Sequence, residues 1–186
     1  MWTFDALSPH DLGLSIPRLP SDELVPGEVQ GSLDFVRDHA TAYERRALDS
    51  MASIRFTDHR LHTHVKLRCV DLIAGQTTCG VPGWHIDCVA TPDGPGRPEA
   101  HVLMVAGGYP TEFLARPLLM VPGDAGWMRG LLATHPPDSV AAPLSRLVWY
   151  GRMHLHRGSV AAAPTRRLLI RMTRTDVMDL PNRSNR

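Results

Sequence analysis

Cysteine is scarce in this chain. The 186 residues include only three cysteines, an odd number, and no two of them have C-x-x-C spacing. Small disulfide-stabilised domains and cysteine-based zinc sites need more cysteines or closer spacing. The sequence therefore argues against both classes and predicts a protein of the reducing cytoplasm. The three cysteines are Cys69, Cys79 and Cys88.

Long apolar runs and a strong net charge are also missing. No run of about 18 apolar residues could span a bilayer, and no basic segment followed by an apolar core marks the N-terminus as a secretory signal. The formal net charge is +1 at pH 7. A charge so close to zero argues against duplex nucleic acid or an anionic membrane as a partner. Oligomeric state cannot be read from the sequence.

The composition is that of one globular domain. Apolar residues make up 43% and charged residues 21% of the chain, which is ordinary for such a domain, and we expect residues 1–186 to form a single unit. Residues 1–31 contain prolines and glycines without periodicity, which predicts an irregular N-terminal arm. From Ser32, a fitting N-cap, apolar residues recur every three or four positions and predict a helix over 32–53 that braces a sheet.

From about residue 60 onward, short strand-like segments alternate with Gly/Pro-rich turns. The segment 64–73 alternates polar and apolar residues, as a half-buried strand does. Many short strands with frequent turns favour a sandwich or barrel over a parallel α/β fold. The predicted class is therefore mainly β with supporting helices. Further strands are expected at 100–106, 115–121, 145–150 and 166–172.

Two basic side chains fall on one face of the 64–73 strand. Because strand side chains alternate, Lys66 and Arg68 share a face opposite the apolar residues of this segment. If that face lines a cavity, the pair could bind an acidic substrate or co-substrate. Solvated surface charges are the more usual role of such residues.

The tripeptide His85-Ile86-Asp87 follows a Gly/Pro turn and is the strongest chemical signal in the chain. On an extended segment His85 and Asp87 point to the same face, so both can reach one metal ion. Two imidazoles and one carboxylate form the facial triad that holds iron(II) with coordination positions left open. An isolated H-x-D is also a frequent chance match, with a hydrogen-bonded pair on a surface strand as its structural alternative.

Two later segments supply a second imidazole and a guanidinium. His154 and His156 lie two positions apart on an expected strand, so either could be the second imidazole while the other orients a ligand or substrate. On the following strand Arg167 and Arg171 share one face and Arg166 lies on the other. The register of that strand decides which of these arginines could bind a carboxylate in the site.

Together these residues resemble a known family, the iron(II)/2-oxoglutarate-dependent oxygenases. Their pattern is H-x-D, then a distant histidine, then an arginine ten or more residues later, and in this chain it reads His85, Asp87, His156 and Arg167. The segment 107–114 resembles the strand and turn after the H-x-D in that family, and residues 156–158 resemble its distal-histidine turn. The resemblance covers about 60–175 and implies a double-stranded β-helix (jelly-roll, cupin-like) core.

The resemblance also implies a role for each residue. His85, Asp87 and His156 would hold Fe(II), and Arg167 would bind the distal carboxylate of the co-substrate 2-oxoglutarate, since a planar guanidinium can grip a carboxylate with two hydrogen bonds. With O2 as oxidant, the expected reaction is hydroxylation of a small molecule such as an amino acid or a secondary-metabolite intermediate.

Two other functions remain open from the sequence. The first is a cupin-type metal-dependent dioxygenase or isomerase that does not use 2-oxoglutarate, in which His101 or His154 would add a ligand. The second is a non-catalytic β-sandwich binding protein whose histidines serve the fold. Dependence on 2-oxoglutarate separates the first from the oxygenase, and metal affinity separates the second from both.

Overall fold

The computed structural model describes residues 2–4, 10–55, 62–81, 83–87, 90–91, 94–95, 100–120, 125–151, 153–176 and 181–186. The strands are β1 (Trp2–Phe4), β2 (His10–Ser15), β3 (Gly27–Ser32), β4 (His62–Leu72), β5 (Ala90–Thr91), β6 (Gly94–Pro95), β7 (Ala100–Gly107), β8 (Thr111–Leu114), β9 (Leu118–Met120), β10 (Ser139–Ala141), β11 (Arg146–Gly151), β12 (His156–Gly158), β13 (Thr165–Thr175) and β14 (Arg183–Ser184). The helices are α1 (Leu33–His39), α2 (Ala42–Ala52) and α3 (Ala125–Thr134), with a 3-10 turn at Ser21–Glu23.

The protein is mainly β, as predicted, and its strand pairs are antiparallel. Seven strands form one sheet in the order β14-β3-β4-β13-β7-β11-β2, and three form a second sheet in the order β10-β8-β12. The pairs β1-β9 and β5-β6 are separate two-stranded units. None of the helices in the described part of the chain has the length and apolarity needed to cross a bilayer.

Alternation along the two central strands builds a core on one face of the large sheet. Leu67 on β4 and Ile170 on β13 pack with Val36 of α1 and with Leu48 and Met51 of α2. All five side chains are fully buried. The predicted alternation of the 64–73 strand is therefore confirmed, and its apolar face lies against the helices.

The other face of the large sheet packs against the three-stranded sheet. Leu103 of β7 and Val148 and Tyr150 of β11 form a second apolar cluster with Phe113 of β8. The Phe113 and Tyr150 rings meet edge to face, with 5.2 Å between their centroids. This contact joins the two sheets. Beside it, the polar faces of β4 and β13 line a cavity.

The helix predicted over 32–53 is instead two helices. Ser32 does cap the first of them, because its hydroxyl accepts a hydrogen bond from the Phe35 amide at 3.3 Å. Thr41 caps the second with a capping box, in which the Glu44 carboxylate accepts from the Thr41 amide at 2.8 Å. The T-x-x-E signal was present in the sequence. The apolar periodicity continues across the break between the two helices, so it gave no sign that the first helix ends.

The irregular arm predicted for residues 1–31 instead contains three strands. β2 pairs with β11 at one edge of the large sheet, β3 pairs with β4, and β1 pairs with β9. Gly31 explains part of the error, because it has φ 152° and a Cβ there would lie 2.1 Å from Asn182 Oδ1. The glycine serves a close approach of the C-terminal segment, although glycine usually weakens a strand prediction.

Candidate metal centre

A cavity of about 240 Å³ lies beside the contact between the two sheets. Residues of β4, β7, β8, β11, β12 and β13 line it, together with residues 78–81 and His85 and Asp87. Its volume is below the range of about 300–1,000 Å³ that is usual for small-molecule sites. The cavity therefore suits a small ligand, or only the reacting end of a larger one.

His85 and His156 are brought together by their backbones. They form an isolated antiparallel bridge, with each amide donating to the other's carbonyl at 2.9 Å, and their ring centroids are 4.4 Å apart. His85-Ile86-Asp87 is thus held by this bridge rather than by a regular strand. His156 begins β12, so the predicted distal-histidine turn is a strand that pairs with β8.

The donor atoms of His85, Asp87 and His156 can share one ion. One ligand atom from each residue lies within 4.8 Å of the other two, and Asp87 Oδ2 is 3.2 Å from His156 Nε2. Two ligand atoms bound at about 2.1 Å from one ion and at right angles to each other are about 3 Å apart. The Asp87–His156 spacing fits two neighbouring ligands of a single ion.

Backbone carbonyls set the orientation of both imidazoles. His85 Nδ1 donates to the Gly83 carbonyl at 3.0 Å, and His156 Nδ1 donates to the His154 carbonyl at 3.1 Å. A carbonyl oxygen only accepts, so Nδ1 carries the proton in each ring and Nε2 is the nitrogen that a metal ion could bind. In His85 this Nε2 lies 3.6 Å from Cys79 Sγ. Hydrogen bonds of this kind fix ring orientation at metal sites generally.

Two further side chains hold Asp87 in its ionised form. Arg171 pairs with Oδ1, and the buried Tyr150 hydroxyl donates to Oδ2 at 2.5 Å. Burial alone would raise the pKa of Asp87, but the charge of Arg171 outweighs it and holds this pKa well below the ordinary value. Burial and Asp87 in turn raise the pKa of Tyr150 well above its usual range, so the phenol stays a donor.

Replacing Tyr150 with phenylalanine tests this support of the carboxylate. We expect Tyr150→Phe to weaken Fe(II) binding by about tenfold or more, because groups that orient a ligand typically contribute 10- to 100-fold to metal affinity. The apolar packing of the ring is kept, so the fold should persist. Calorimetric titration with Fe(II) under anaerobic conditions measures the change, and an unchanged affinity would remove Tyr150 from the site.

Arg167 is a buried guanidinium in the same cavity. It is 3% exposed, and its Nε and Nη2 donate to the Tyr109 carbonyl at 2.8 Å and to Thr111 Oγ1 at 3.0 Å. A longer contact of 3.4 Å joins Nη1 to the Thr78 carbonyl. These partners are neutral, and no carboxylate in the described ranges pairs with Arg167. Burial lowers its pKa to about 10, so it remains charged at neutral pH.

The register of β13 separates the three candidate arginines. Arg167 and Arg171 line the cavity, whereas Arg166 lies on the other face and pairs with Asp71 at 2.7 Å. Arg171 already forms an ion pair with Asp87. Of the three, Arg167 alone combines cavity lining with no carboxylate partner among the described residues.

The two other histidines considered for the metal lie elsewhere. His154 precedes β12 in a turn, so it does not share a strand with His156 as predicted, and its Nδ1 is 2.8 Å from the Gly151 amide nitrogen. His101 on β7 has its Nδ1 2.9 Å from Thr173 Oγ1 and stacks on the Tyr150 ring. Neither belongs to the candidate metal-binding cluster found in the described part of the chain.

His101 should make the stability of the metal-free protein depend on pH. Burial lowers its pKa to about 3, whereas an unfolded histidine titrates near 6.5. Between these values only the unfolded chain gains the proton, so stability falls as the pH falls. We expect the free energy of unfolding to drop by about 2 kcal/mol between pH 7 and pH 5 through this residue.

Denaturant unfolding of the wild type and of His101→Gln at both pH values measures this contribution. The variant should lose that part of the pH dependence. His64, whose pKa burial lowers to about 4, acts in the same direction in both proteins and so cancels in the comparison. Equal pH dependence in the two proteins would show that His101 is not a buried neutral imidazole.

Tyr150 is a candidate site residue that the sequence did not indicate. Alternation along β11 does place Tyr150 and Val148 together on the face that packs on β8. However, nothing in the local pattern connects the hydroxyl to Asp87, which lies 63 positions earlier. Only the tertiary contact shows the connection.

Comparison of the chain with protein-family models, curated proteins and solved structures gives no match. The resemblance to the oxygenases therefore depends on the spacing of four residues and on two short segments, 107–114 and 156–158. The structure adds their placement: the candidate ligands and Arg167 line one cavity. The class that this geometry supports is a mononuclear metal site with a buried cation that can receive an acidic ligand.

Proposed function

We propose that the chain is a non-haem Fe(II)/2-oxoglutarate-dependent dioxygenase that hydroxylates a small molecule. One observation carries the proposal: two imidazoles and a carboxylate meet in the same cavity as a buried arginine that pairs with no described carboxylate. Two imidazoles and one carboxylate are the ligand set of the non-haem iron(II) oxygenases. The cytoplasmic setting stays a prediction from the cysteine content.

The donor set fits iron. Three protein ligands leave coordination positions for the 2-oxo acid and O2. When bound, Fe(II) supplies the O2 chemistry that converts 2-oxoglutarate to succinate and CO2, with one oxygen atom entering succinate and the other entering the substrate C–H bond. Asp87, kept ionised by Arg171 and Tyr150, supplies the negative ligand, and His85 and His156 present Nε2.

Arg167 has the hydrogen-bonding capacity that a carboxylate anchor needs. A guanidinium has five N–H donors, and the contacts to Tyr109, Thr111 and Thr78 use three of them. Two remain for the distal carboxylate of 2-oxoglutarate. The existing contacts fix the plane of the group before the ligand arrives, which lowers the entropic cost of binding.

We propose further that the two sheets form a double-stranded β-helix. Antiparallel pairing of β8 with both β10 and β12, opposite the large sheet, supports this topology. The histidines and aspartate would then lie at the open end of the barrel, beside the cavity.

The proposal is tested by comparing two ligands of the metal-loaded protein. Calorimetric titration of the Zn(II)-loaded form with 2-oxoglutarate should show binding at least about tenfold tighter than with 2-oxobutyrate, which lacks the distal carboxylate. Zn(II) binding without affinity for 2-oxoglutarate would favour the cupin-type alternative. Failure to bind any metal specifically would favour the second alternative, a non-catalytic β-sandwich binding protein.

A further inference from the structure

The cavity carries more positive charge than the proposed cofactor and co-substrate require. Four cationic side chains line it, and Asp87 is the one acidic residue among the described residues that do so. Arg171 is paired with Asp87, and Arg167 is assigned to 2-oxoglutarate. The two other cations are Lys66 and Arg68, which have no part in the proposed chemistry.

Lys66 and Arg68 are placed by the alternation of β4. In the antiparallel pairing with β13, Lys66 lies directly opposite Arg171, and Arg68 lies opposite Leu169 between the two arginines of that strand. Like charges opposite each other on neighbouring strands are unfavourable unless an anion lies between them. Arg68 is also close enough to Arg167 to contribute to lowering its pKa, after burial and against the influence of Cys79.

Only one carboxylate in the described ranges balances this pair. Glu28 on β3 lies 3.3 Å from Lys66 Nζ and 3.4 Å from Arg68 Nε, each by a different carboxylate oxygen. Arg68 therefore contacts Glu28 through Nε, while its Nη1 extends toward Gly80, another lining residue. Both basic side chains are about one-third exposed, so a ligand can reach them from the cavity.

The charge balance of the loaded site leaves room for another anion. Among the described residues, four cations face two carboxylates, Asp87 and Glu28, which leaves an excess of two positive charges. Fe(II) adds two positive charges and 2-oxoglutarate adds two negative ones, so their binding does not change this excess. A low-dielectric cavity with a surplus of one sign attracts ligands of the other.

We propose that the substrate carries a carboxylate or phosphate group that Lys66 and Arg68 bind. The assignment of this ligand as a substrate rests on the proposed oxygenase function, whereas the anion site itself does not. The cavity volume of about 240 Å³ indicates a small acid, or the acidic end of a larger molecule. Arg68 offers a planar fork and Lys66 a point charge, a combination that suits either kind of anion.

The test is a calorimetric titration of protein loaded with Zn(II) and 2-oxoglutarate. Inorganic phosphate is the titrant in one experiment and acetate in another. Wild type should bind at least one of them, and the preferred anion distinguishes a phosphate from a carboxylate substrate. Arg68→Met and Lys66→Met, which keep the aliphatic stems, should each weaken binding by about tenfold. Arg116→Met, at an exposed arginine outside the cavity, should bind the anion as wild type does.

Glu28→Gln should change anion affinity in the opposite direction from the two methionine variants. The carboxylate competes with an incoming anion for both cations, so its neutral analogue should bind phosphate or acetate about threefold or more tightly. A purely structural role for Glu28 would lower affinity or leave it unchanged.

The chain also allows a test by chemical modification. Lys66 is its only lysine, against 19 arginines. Reductive methylation followed by peptide mass spectrometry therefore reports on Lys66 and on the terminal amine alone. The anion that binds should slow methylation of Lys66 several-fold and leave the terminal amine, an internal reference, unaffected.

The outcomes separate this inference from the proposed function. If 2-oxoglutarate binds but neither anion does, or if both basic variants bind the anion like wild type, the anion site is wrong and the oxygenase stands. If 2-oxoglutarate does not bind but anion affinity depends on Lys66 and Arg68, the anion site stands without the oxygenase. If Lys66→Met or Arg68→Met weakens 2-oxoglutarate binding tenfold, these residues hold the co-substrate and the inference is overturned.

Discussion

Asp87→Asn is expected to abolish turnover of 2-oxoglutarate and to lower Fe(II) affinity by at least about a hundredfold. The amide keeps the shape of the side chain but loses the charge that faces the ion and His156. It also leaves Arg171 without a counter-ion in a site where the Asp87 side chain is 15% exposed. Breaking a largely buried ion pair by changing one partner costs about 3 kcal/mol of stability.

The double variant Asp87→Asn/Arg171→Met separates these two consequences. It removes both charges of the pair, so most of the lost stability should return, while Fe(II) affinity stays as low as in the single variant. Glu112→Gln is the matched control, since Glu112 pairs with Arg157 at 2.8 Å and does not line the cavity. Wild-type Fe(II) affinity in a folded Asp87→Asn protein would show that Asp87 is not a ligand.

Arg167→Met should weaken 2-oxoglutarate binding by about a hundredfold, or about 2.7 kcal/mol, and leave Fe(II) affinity unchanged. The methionine fills much of the same space but cannot bind the distal carboxylate. Affinity for 2-oxobutyrate, which lacks that carboxylate, should be unaffected. Calorimetric titration of the Zn(II)-loaded variant with each ligand measures both effects.

The neighbouring arginine supplies the control for Arg167. Arg166→Met changes the same residue type one position earlier, on the opposite face of β13, where the side chain pairs with Asp71. Its affinity for 2-oxoglutarate should match wild type. A similar loss in both variants would mean that the effect comes from disturbing β13 rather than from an anchor in the cavity.

The alternation of strands and the H-x-D spacing of His85 and Asp87 were readable from the sequence because both are local. Period two along β4 places Leu67 and Lys66 on opposite faces of the strand, whatever the rest of the fold does. The same rule separates Arg166 from Arg167 on β13. Such patterns predict which residues share a face, and they do so before any tertiary contact is known.

What the sequence did not reveal depends on distant contacts. β2 and β3 are strands because they pair with β11 and β4, and their own glycines argued against that structure. The hydrogen bond from Tyr150 to Asp87 and the sharing of Glu28 by two cations likewise join residues far apart in the chain. Tertiary context determines these features, so propensity and motif spacing carry little information about them.

The most direct test of the metal centre is an anaerobic titration of metal-free protein with Fe(II) and then 2-oxoglutarate, followed by visible absorption. A metal-to-ligand charge-transfer band that requires both additions, is absent in Asp87→Asn and needs more 2-oxoglutarate in Arg167→Met is the predicted result. Tight Fe(II) binding without the band, or a band that persists in Asp87→Asn, would contradict an Fe(II)/2-oxoglutarate site built from His85, Asp87 and His156.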